Sequence, residues 1–495
     1  MLDDGDSYRE RKEASISDLT GTTMLEVVLV STPIPMGMWL LAESKALATL
    51  LIGRGKNIAP LWGWQLFTLE TLVVLFPALA STIWPAHVTT MVLFMAISSL
   101  FCFLWRSKLK TGQTGHRAEA NDGETSQEDR RGSRLALPAM GFITNFRASV
   151  MIVTCITILA VDFQVFPRRF AKTEVFGTGL MDLGVGATVF ASGLAAGCKV
   201  QHQKGLAKPG WPLWWTMLAD GVTAAARAWP LAALGASRLL VVKGLDYQEH
   251  VSEYGVHWNF FATLFFLRVV VVPMNRLRPA RLRHLLALVA MFVYQWWLVN
   301  GGLADFIVHA PRDTLFSMNR EGVLGLVGFV AIYYIAEEVG SQVRTGREKP
   351  AKVRLEVRYF VPIFADSMAI VMRATVILWG LTLLSEGLIQ DTSRRMVNLT
   401  YVLWVGAHST LMLSLLMLVD KISSKPSRSQ ILSAVNFNMF PVFMGANLAT
   451  GAINLSMRTL DADTSTAVMI LTIYLVFVAG FAVILMDRWG FKLKV

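Results

Sequence analysis

Runs of about 20 mostly apolar residues recur along the whole chain, separated by short polar stretches. A helix needs about 20 such residues to cross the hydrocarbon core of a bilayer. Thirteen runs have this character, near 24–44, 61–83, 86–105, 148–166, 178–198, 211–235, 256–273, 284–300, 322–340, 359–386, 398–420, 433–455 and 465–487. The third, fourth and last are the most continuous. The sixth is interrupted by Arg227 and Pro230, and the twelfth by Pro441, Asn447 and Gly451. The pattern predicts an all-α fold, a polytopic transmembrane helical bundle of about 13 spans.

The polar stretches divide the chain. Residues 1–23 form a polar N-terminal segment of mixed charge, unlike a cleavable signal peptide, which has an apolar centre and a small-residue cleavage site. Residues 24–105 hold the first transmembrane helices. Residues 106–137 are rich in Gly, Ser, Thr, Gln and charge, and the stretch from Arg106 to Arg134 lacks aromatic residues. Such a composition predicts a disordered loop. Residues 138–495 form the main transmembrane bundle, one integral domain with 24–105. No strong internal repeat is visible.

Composition narrows the class. Of 495 residues, 54% are hydrophobic and 16% charged, against roughly 25% charged in soluble domains. A soluble protein and intrinsic disorder are both excluded. Three Cys, all in apolar runs, cannot staple a fold of this size. The net charge of +11 would suggest a nucleic-acid partner in a soluble protein, but here it follows topology. About two-thirds of the 46 Lys and Arg fall in alternate loops (1–2, 3–4, 5–6, 7–8, 9–10, 11–12) and the C-terminus. Cytoplasmic loops collect Lys and Arg, so the C-terminus and the 106–137 loop are expected in the cytoplasm, the N-terminus is expected on the opposite side, and no nucleic-acid partner is implied. Several Trp near span ends (Trp62, Trp84, Trp105, Trp211, Trp404, Trp489) fit interfacial belts.

Ionisable groups near or within spans are costly and point to function. The densest group lies at the end of the fourth run and after it: Asp162, Arg168, Arg169, Lys172, Glu174 and Asp182. A carboxylate beside a cation at the membrane edge suits acyl transfer: Asp162 to take a hydroxyl proton and Lys172 to stabilise the oxyanion formed at a thioester. The same residues also read as a topogenic basic loop with an ion-paired Asp. Asp220 and Arg227 are seven residues apart, as are Asp366 and Arg373, close to two helical turns. Each pair either lines a polar cavity for phosphate or is neutralised by other helices. Glu70 is a lone acid with a structural role expected. His257, Trp258 and Asn259 open the seventh run as an acid–base or headgroup site, or as interfacial decoration. Asn447 and Asn454, near Gly445 and Gly451, suit helix packing. Asp305 and His309 lie in a loop on the non-cytoplasmic side. Asn398 and Asn454 open glycosylation sequons at span ends. Walker A, His-Glu-x-x-His, Gly-x-Ser-x-Gly and metal-spaced Cys pairs are absent, and no metal site or cofactor is expected.

The segments Ile158 to Phe163, Phe166 to Glu174 and Gly177 to Gly186 resemble the PIG-W family, the inositol acyltransferases of glycosylphosphatidylinositol (GPI) anchor synthesis. Val256 to Phe261, Asn319 to Gly322, Ala446 to Gly451 and Asn454–Leu455 extend the resemblance over most of the chain. It implies a multi-pass enzyme of the endoplasmic reticulum membrane that moves a fatty acyl chain, usually palmitoyl, from acyl-CoA as co-substrate to the inositol ring of glucosaminyl-phosphatidylinositol. It implies that these segments face the lumen, and that Asp162 and Lys172 are catalytic. Arg168, Arg169 and Arg227 are candidates for substrate phosphates. Glu174, Asp182, Asp220, His257, Trp258, Asn259 and Asn447 are further substrate-binding candidates. Three rivals stand beside this reading: a lipid or solute transporter using the same charges, an acyltransferase with His257 as base, and a structural scaffold, which needs no such charges.

Overall fold

In a computed structural model of the protein, the described residues are 3–52, 63–114, 140–199, 210–244, 251–348, 367–423 and 428–487. Every regular element among them is helical; two isolated β-bridges tie Gly21 and Thr22 to Thr178. Ten helices there are long and apolar enough to cross a membrane: Met24–Leu50, Gly63–Ile83, Pro85–Leu109, Gly141–Ala160, Leu180–Gly197, Ala280–Asn300, Arg320–Thr345, Ser367–Leu388, Leu399–Ile422 and Thr464–Asp487. Each coincides with one of the apolar runs. The other three runs take different forms. The sixth is two helices, Leu213–Arg227 and Trp229–Gly244, broken at Ala228, where Pro230 withholds the next amide donor. The seventh is a 15-residue helix, Phe260–Met274. The twelfth bends by 95° between Gln430–Phe437 and Met439–Ser456.

Some boundaries differ from the sequence reading. The fourth helix begins at Gly141 and ends at Ala160, which leaves Asp162 in the loop beyond it. The third continues to Thr114, into the polar insertion. The rest of that insertion, Asp366, Trp62 and Trp489 lie outside the described residues.

The chain divides into two compact units. One comprises Leu29–Ala160 and Leu415–Lys492. In it the carboxylate of Glu70, wholly buried, accepts hydrogen bonds from Ser429 Oγ and the backbone amides of Gln430 and Ile431, and pairs with Lys45 Nζ at 3.0 Å. It thereby caps the Gln430–Phe437 helix with the negative charge its N-terminus favours. This is the structural role expected of that acid.

The other unit, Met1–Val28, Val161–Ser414 and Leu493–Val495, holds almost all the charged candidates. Its helices are α1 (Asp3–Ala14), α2 (Leu183–Gly197), α3 (Leu213–Arg227), α4 (Trp229–Gly244), α5 (Phe260–Met274), α6 (Ala280–Asn300), α7 (Arg320–Glu348), α8 (Ser367–Leu388) and the first part of α9 (Leu399–Ile422). Glycines set how closely α2 and α7 approach. A Cβ on Gly193 would lie 2.2 Å from Tyr333 O, and one on Gly197 2.1 Å from Glu337 O. Small residues four apart let transmembrane helices meet backbone to backbone, and the matched order makes the pair parallel. Gly197→Val therefore forces the helices apart at a cost of about 1–3 kcal/mol or more. A lowered thermal midpoint of the detergent-solubilised protein is the expected result, and an unchanged midpoint would count against this packing.

Hydrogen bonds give the register of the rest. Asn259 Nδ2 donates to Gly235 O at the start of α5, and Asp220 pairs with Arg276 just past its end, so α3 and α4 together run antiparallel to α5. Tyr334 Oη reaches Val271 O, which sets α5 beside α7. Arg283 near the start of α6 pairs with Glu337 in the second half of α7, while Tyr294 further along α6 donates to Met396 O, beside Val397, which packs on Gly325 and Gly328 of α7; α6 thus runs antiparallel to α7. Thr375–Ser414 and Ser385–Thr400 do the same for α8 and α9. The starts of α2, α5, α7 and α9 thus gather with the ends of α4, α6 and α8 at one end of the unit. On α6, Leu285, Val289, Phe292 and Trp296 are exposed while Ala287, Met291, Tyr294 and Leu298 are buried. An apolar exposed stripe of this extent is a lipid-facing surface. Trp404, by contrast, is fully buried in the core rather than interfacial.

Candidate active site

The loop after Ala160 is built to hold its charges still. Phe163, Phe166 and Phe170 are wholly buried and anchor it. Arg168 turns back to donate to Val161 O at 2.6 Å and Phe163 O at 3.2 Å, satisfying carbonyls left over where the helix ends. Burial lowers the Arg168 pKa from its ordinary value, with Asp162 opposing the shift. Arg169 makes a two-pronged contact with Glu26, and that hydrogen bonding raises its pKa. The N-terminal segment lies along the same loop: Glu174 N donates to Leu19 O, and Thr22 N to Thr178 O. At Gly177, φ is +125° and a Cβ would strike Thr20 O at 2.0 Å, so only glycine fits where the two strands of chain touch.

The two leading candidates each have a charged partner. Asp162, nearly buried, pairs with Lys12 of α1 at 2.8 Å. Lys172, 39% exposed, donates to Glu253 Oε2 at 2.6 Å, from the one-turn helix Val251–Tyr254. Asp182 is fully buried. It accepts from Arg394 Nε at 2.7 Å, Gly179 N at 2.8 Å, Thr173 Oγ1 at 3.1 Å and Thr173 N at 3.2 Å. Arg394 Nη1 lies 3.6 Å from Glu253 Oε1. Burial works against the charge of Arg394, but Glu253 and Asp182 outweigh it and hold its pKa above the ordinary value. Next to it, Arg395 bridges Glu174 at 3.5 Å and buried Glu321 at 3.2 Å; Glu321 also takes the Arg312 fork. A narrow, partly open crevice lies among Glu253, Tyr254, Glu321, Arg394 and Arg395, with Val185, Phe329 and Val397. Among the described residues no three of His, Cys, Asp and Glu converge as metal ligands would.

The remaining candidates occupy different places. The backbone amide of His257 donates to Asn319 Oδ1, and its ring is exposed. Trp258 covers Gly322 and stacks on Phe266, and Asn259 caps α5. These three border the charge cluster. Asp220 is buried with Arg276 past the far end of α5, about 22 Å of helix away. Its neutralising partner is on another element, and Arg227 is exposed. Asn447, in the other unit, donates to Phe443 O of its own helix. His309 and Asp305 are exposed, 4.0 Å apart. Asn398 is fully buried, accepting from Ser393 N and Tyr401 N and donating to Gln390 and Asp391, so its sequon offers no acceptor nitrogen to a glycosylating enzyme.

Lys12, Glu253, Arg312, Glu321, Arg394 and Arg395 did not stand out as site residues in the sequence. Their shared signal is parity: all lie in the N-terminus or in the loops that the Lys/Arg alternation puts on the same side as the 167–177 loop, and Glu321 alone also falls in a segment of the resemblance, Asn319 to Gly322. Arg394 meets a carboxylate 212 positions away, a contact that no spacing rule reaches.

The GWT1 family model matches residues 8–485. Among similar proteins, GPI-anchored wall transfer protein 1 of Aspergillus oryzae is 33% identical over 510 residues, covering 99% of both chains. Its namesake from Emericella nidulans is 34% identical, covering 96% of this chain and 97% of its own. That from Candida glabrata is 33% identical, covering 96% of each.

Proposed function

Because the chain belongs to the GWT1 family, we propose that it is a multi-pass membrane transferase of GPI-anchor biosynthesis in the endoplasmic reticulum. It moves a palmitoyl-type acyl chain from acyl-CoA to the inositol ring of glucosaminyl-phosphatidylinositol. The observation that carries this reading is that the family match runs almost the whole chain and its charged segments converge at one end of one unit. The twelfth apolar run and the α3–α4 and α5 segments also cross, α5 because it runs beside α7 and α3–α4 because they run beside α5. The N-terminus and the charge cluster then face the lumen and the C-terminus the cytoplasm.

In the reaction, Asp162 takes the proton of the inositol hydroxyl as its oxygen attacks the thioester carbonyl. Lys172 stabilises the tetrahedral oxyanion. Collapse breaks the C–S bond, and the leaving thiolate recovers the proton from Asp162, giving an inositol ester and free CoA. Lys12, 2.8 Å from Asp162, holds that carboxylate in place until the hydroxyl arrives. Arg169, 46% exposed, is placed better than Arg168 to meet a substrate phosphate, since Arg168 is committed to backbone carbonyls. Transfer is direct: Cys155 is buried, and Cys198 lies against Gly340 O.

Detergent-purified protein given acyl-CoA and the inositol lipid should form a covalent lipid ester, whereas a transporter yields none. Lys172→Ala should lose about 10²–10³ in rate, and Lys172→Arg, which keeps the charge, should retain more. Equal, near-normal rates for both would remove the oxyanion role.

A further inference from the structure

We propose that Glu253 and Arg394 are positioning residues that fix the Lys172 ammonium, an inference that rests on the acyltransferase reading above. The contacts close a ring. Lys172 Nζ bonds Glu253 Oε2 at 2.6 Å, and Glu253 Oε1 faces Arg394 Nη1 at 3.6 Å. Arg394 Nε bonds Asp182 Oδ1 at 2.7 Å, and Asp182 accepts from both the amide and the hydroxyl of Thr173, the residue next to Lys172. The side chain of Lys172 and the backbone beside it are therefore tied to one buried carboxylate by two routes.

The physical need is clear from the chemistry. A lysine ammonium sits on four rotatable carbons and, at 39% exposure, wanders unless held. An oxyanion site works only when its donor is already in place as charge develops. An ammonium carries three donors, so the bond to Glu253 does not by itself exhaust what Lys172 can offer a developing oxyanion. Glu253, its side chain 15% exposed, is in turn kept from swinging by Arg394, which is 92% buried. Glu253 itself touches no reacting atom; it acts through Lys172.

The test compares purified wild type, Glu253→Gln, Glu253→Asp, Lys172→Ala and the Lys172→Ala/Glu253→Gln double variant, using palmitoyl-CoA and a glucosaminyl-phosphatidylinositol acceptor. Glu253→Gln should lower kcat about 10- to 100-fold while both KM values stay within about threefold. Glu253→Asp, still charged but shorter, should recover part of the loss. Adding Glu253→Gln to Lys172→Ala should cost less than about twofold further, because the two act as one unit. A full rate for Glu253→Gln, a loss confined to KM, or an equal loss with and without Lys172 would overturn the proposal. Should Glu253→Gln fail to accumulate, Glu253→Asp decides alone: lowered kcat at constant KM supports it, and unchanged kcat overturns it. Failure of the acyltransferase reading looks different, since wild type would then make no ester or Lys172→Ala would keep its rate.

Discussion

Asp162→Ala abolishes acyl transfer, with kcat lowered by at least about 10²-fold, and leaves the protein folded in the membrane. Asp162 stands in the loop just beyond Ala160, where its carboxylate meets the Lys12 ammonium. The partner left behind, Lys12, is part-exposed and is solvated by water once the carboxylate is gone, so the folding cost is small. The surrounding loop keeps its own anchors in Phe163, Phe166, Phe170 and the Arg168 bonds to Val161 and Phe163. Activity in microsomes together with the thermal midpoint in detergent reads both halves. Full activity would remove Asp162 from the base role; lost activity with a collapsed midpoint would make the residue structural.

Asp182→Ala gives the opposite pattern, a failure of folding before any question of rate. Its carboxylate is fully buried and answers four donors, among them the Arg394 guanidinium. Truncation takes from that guanidinium, 92% buried, its 2.7 Å carboxylate contact, leaving Glu253 at 3.6 Å, and orphans the Thr173 and Gly179 amides. Breaking a buried ion pair from one side costs about 3–5 kcal/mol, a large fraction of a typical folding free energy. The variant should accumulate poorly and melt well below wild type. A midpoint within about 2 °C of wild type would show that Arg394 finds other partners. Burial this complete leaves Asp182 no face for substrate and makes it the support of the residues that have one.

How much of this was legible in the sequence differs by level. The ten helices that pass as spans lie where continuous apolar runs of about 20 residues stand, because lipid demands that length and composition. The three remaining runs differ where local chemistry interrupts: Pro230 between α3 and α4, the short 15-residue α5, and the corner at Asn438 shortly before Pro441. The fourth apolar run overshoots its helix by six residues because Phe163 and Phe166 prolong it past the true end at Ala160; their burial is tertiary. For the site, the 158–186 segment stood out by itself through Asp162, Lys172 and Asp182. What remained hidden was who answers each charge. Asp220 and Arg227 share a helix and a plausible spacing, yet Asp220 pairs with Arg276. Nothing in the sequence marks Arg394 and Arg395, and their function as counterions appears only once α8 and α9 bring that loop to Asp182 and Glu321.

The most direct test of the central claim is the position of a non-hydrolysable acyl-CoA analogue bound to the purified protein, determined by electron cryo-microscopy with the inositol lipid present. The thioester-equivalent carbonyl oxygen should lie within about 3 Å of Lys172 Nζ and the acceptor hydroxyl within hydrogen-bond reach of Asp162. An analogue whose carbonyl lies in another part of the molecule, with neither Asp162 nor Lys172 near the reacting atoms, would contradict it.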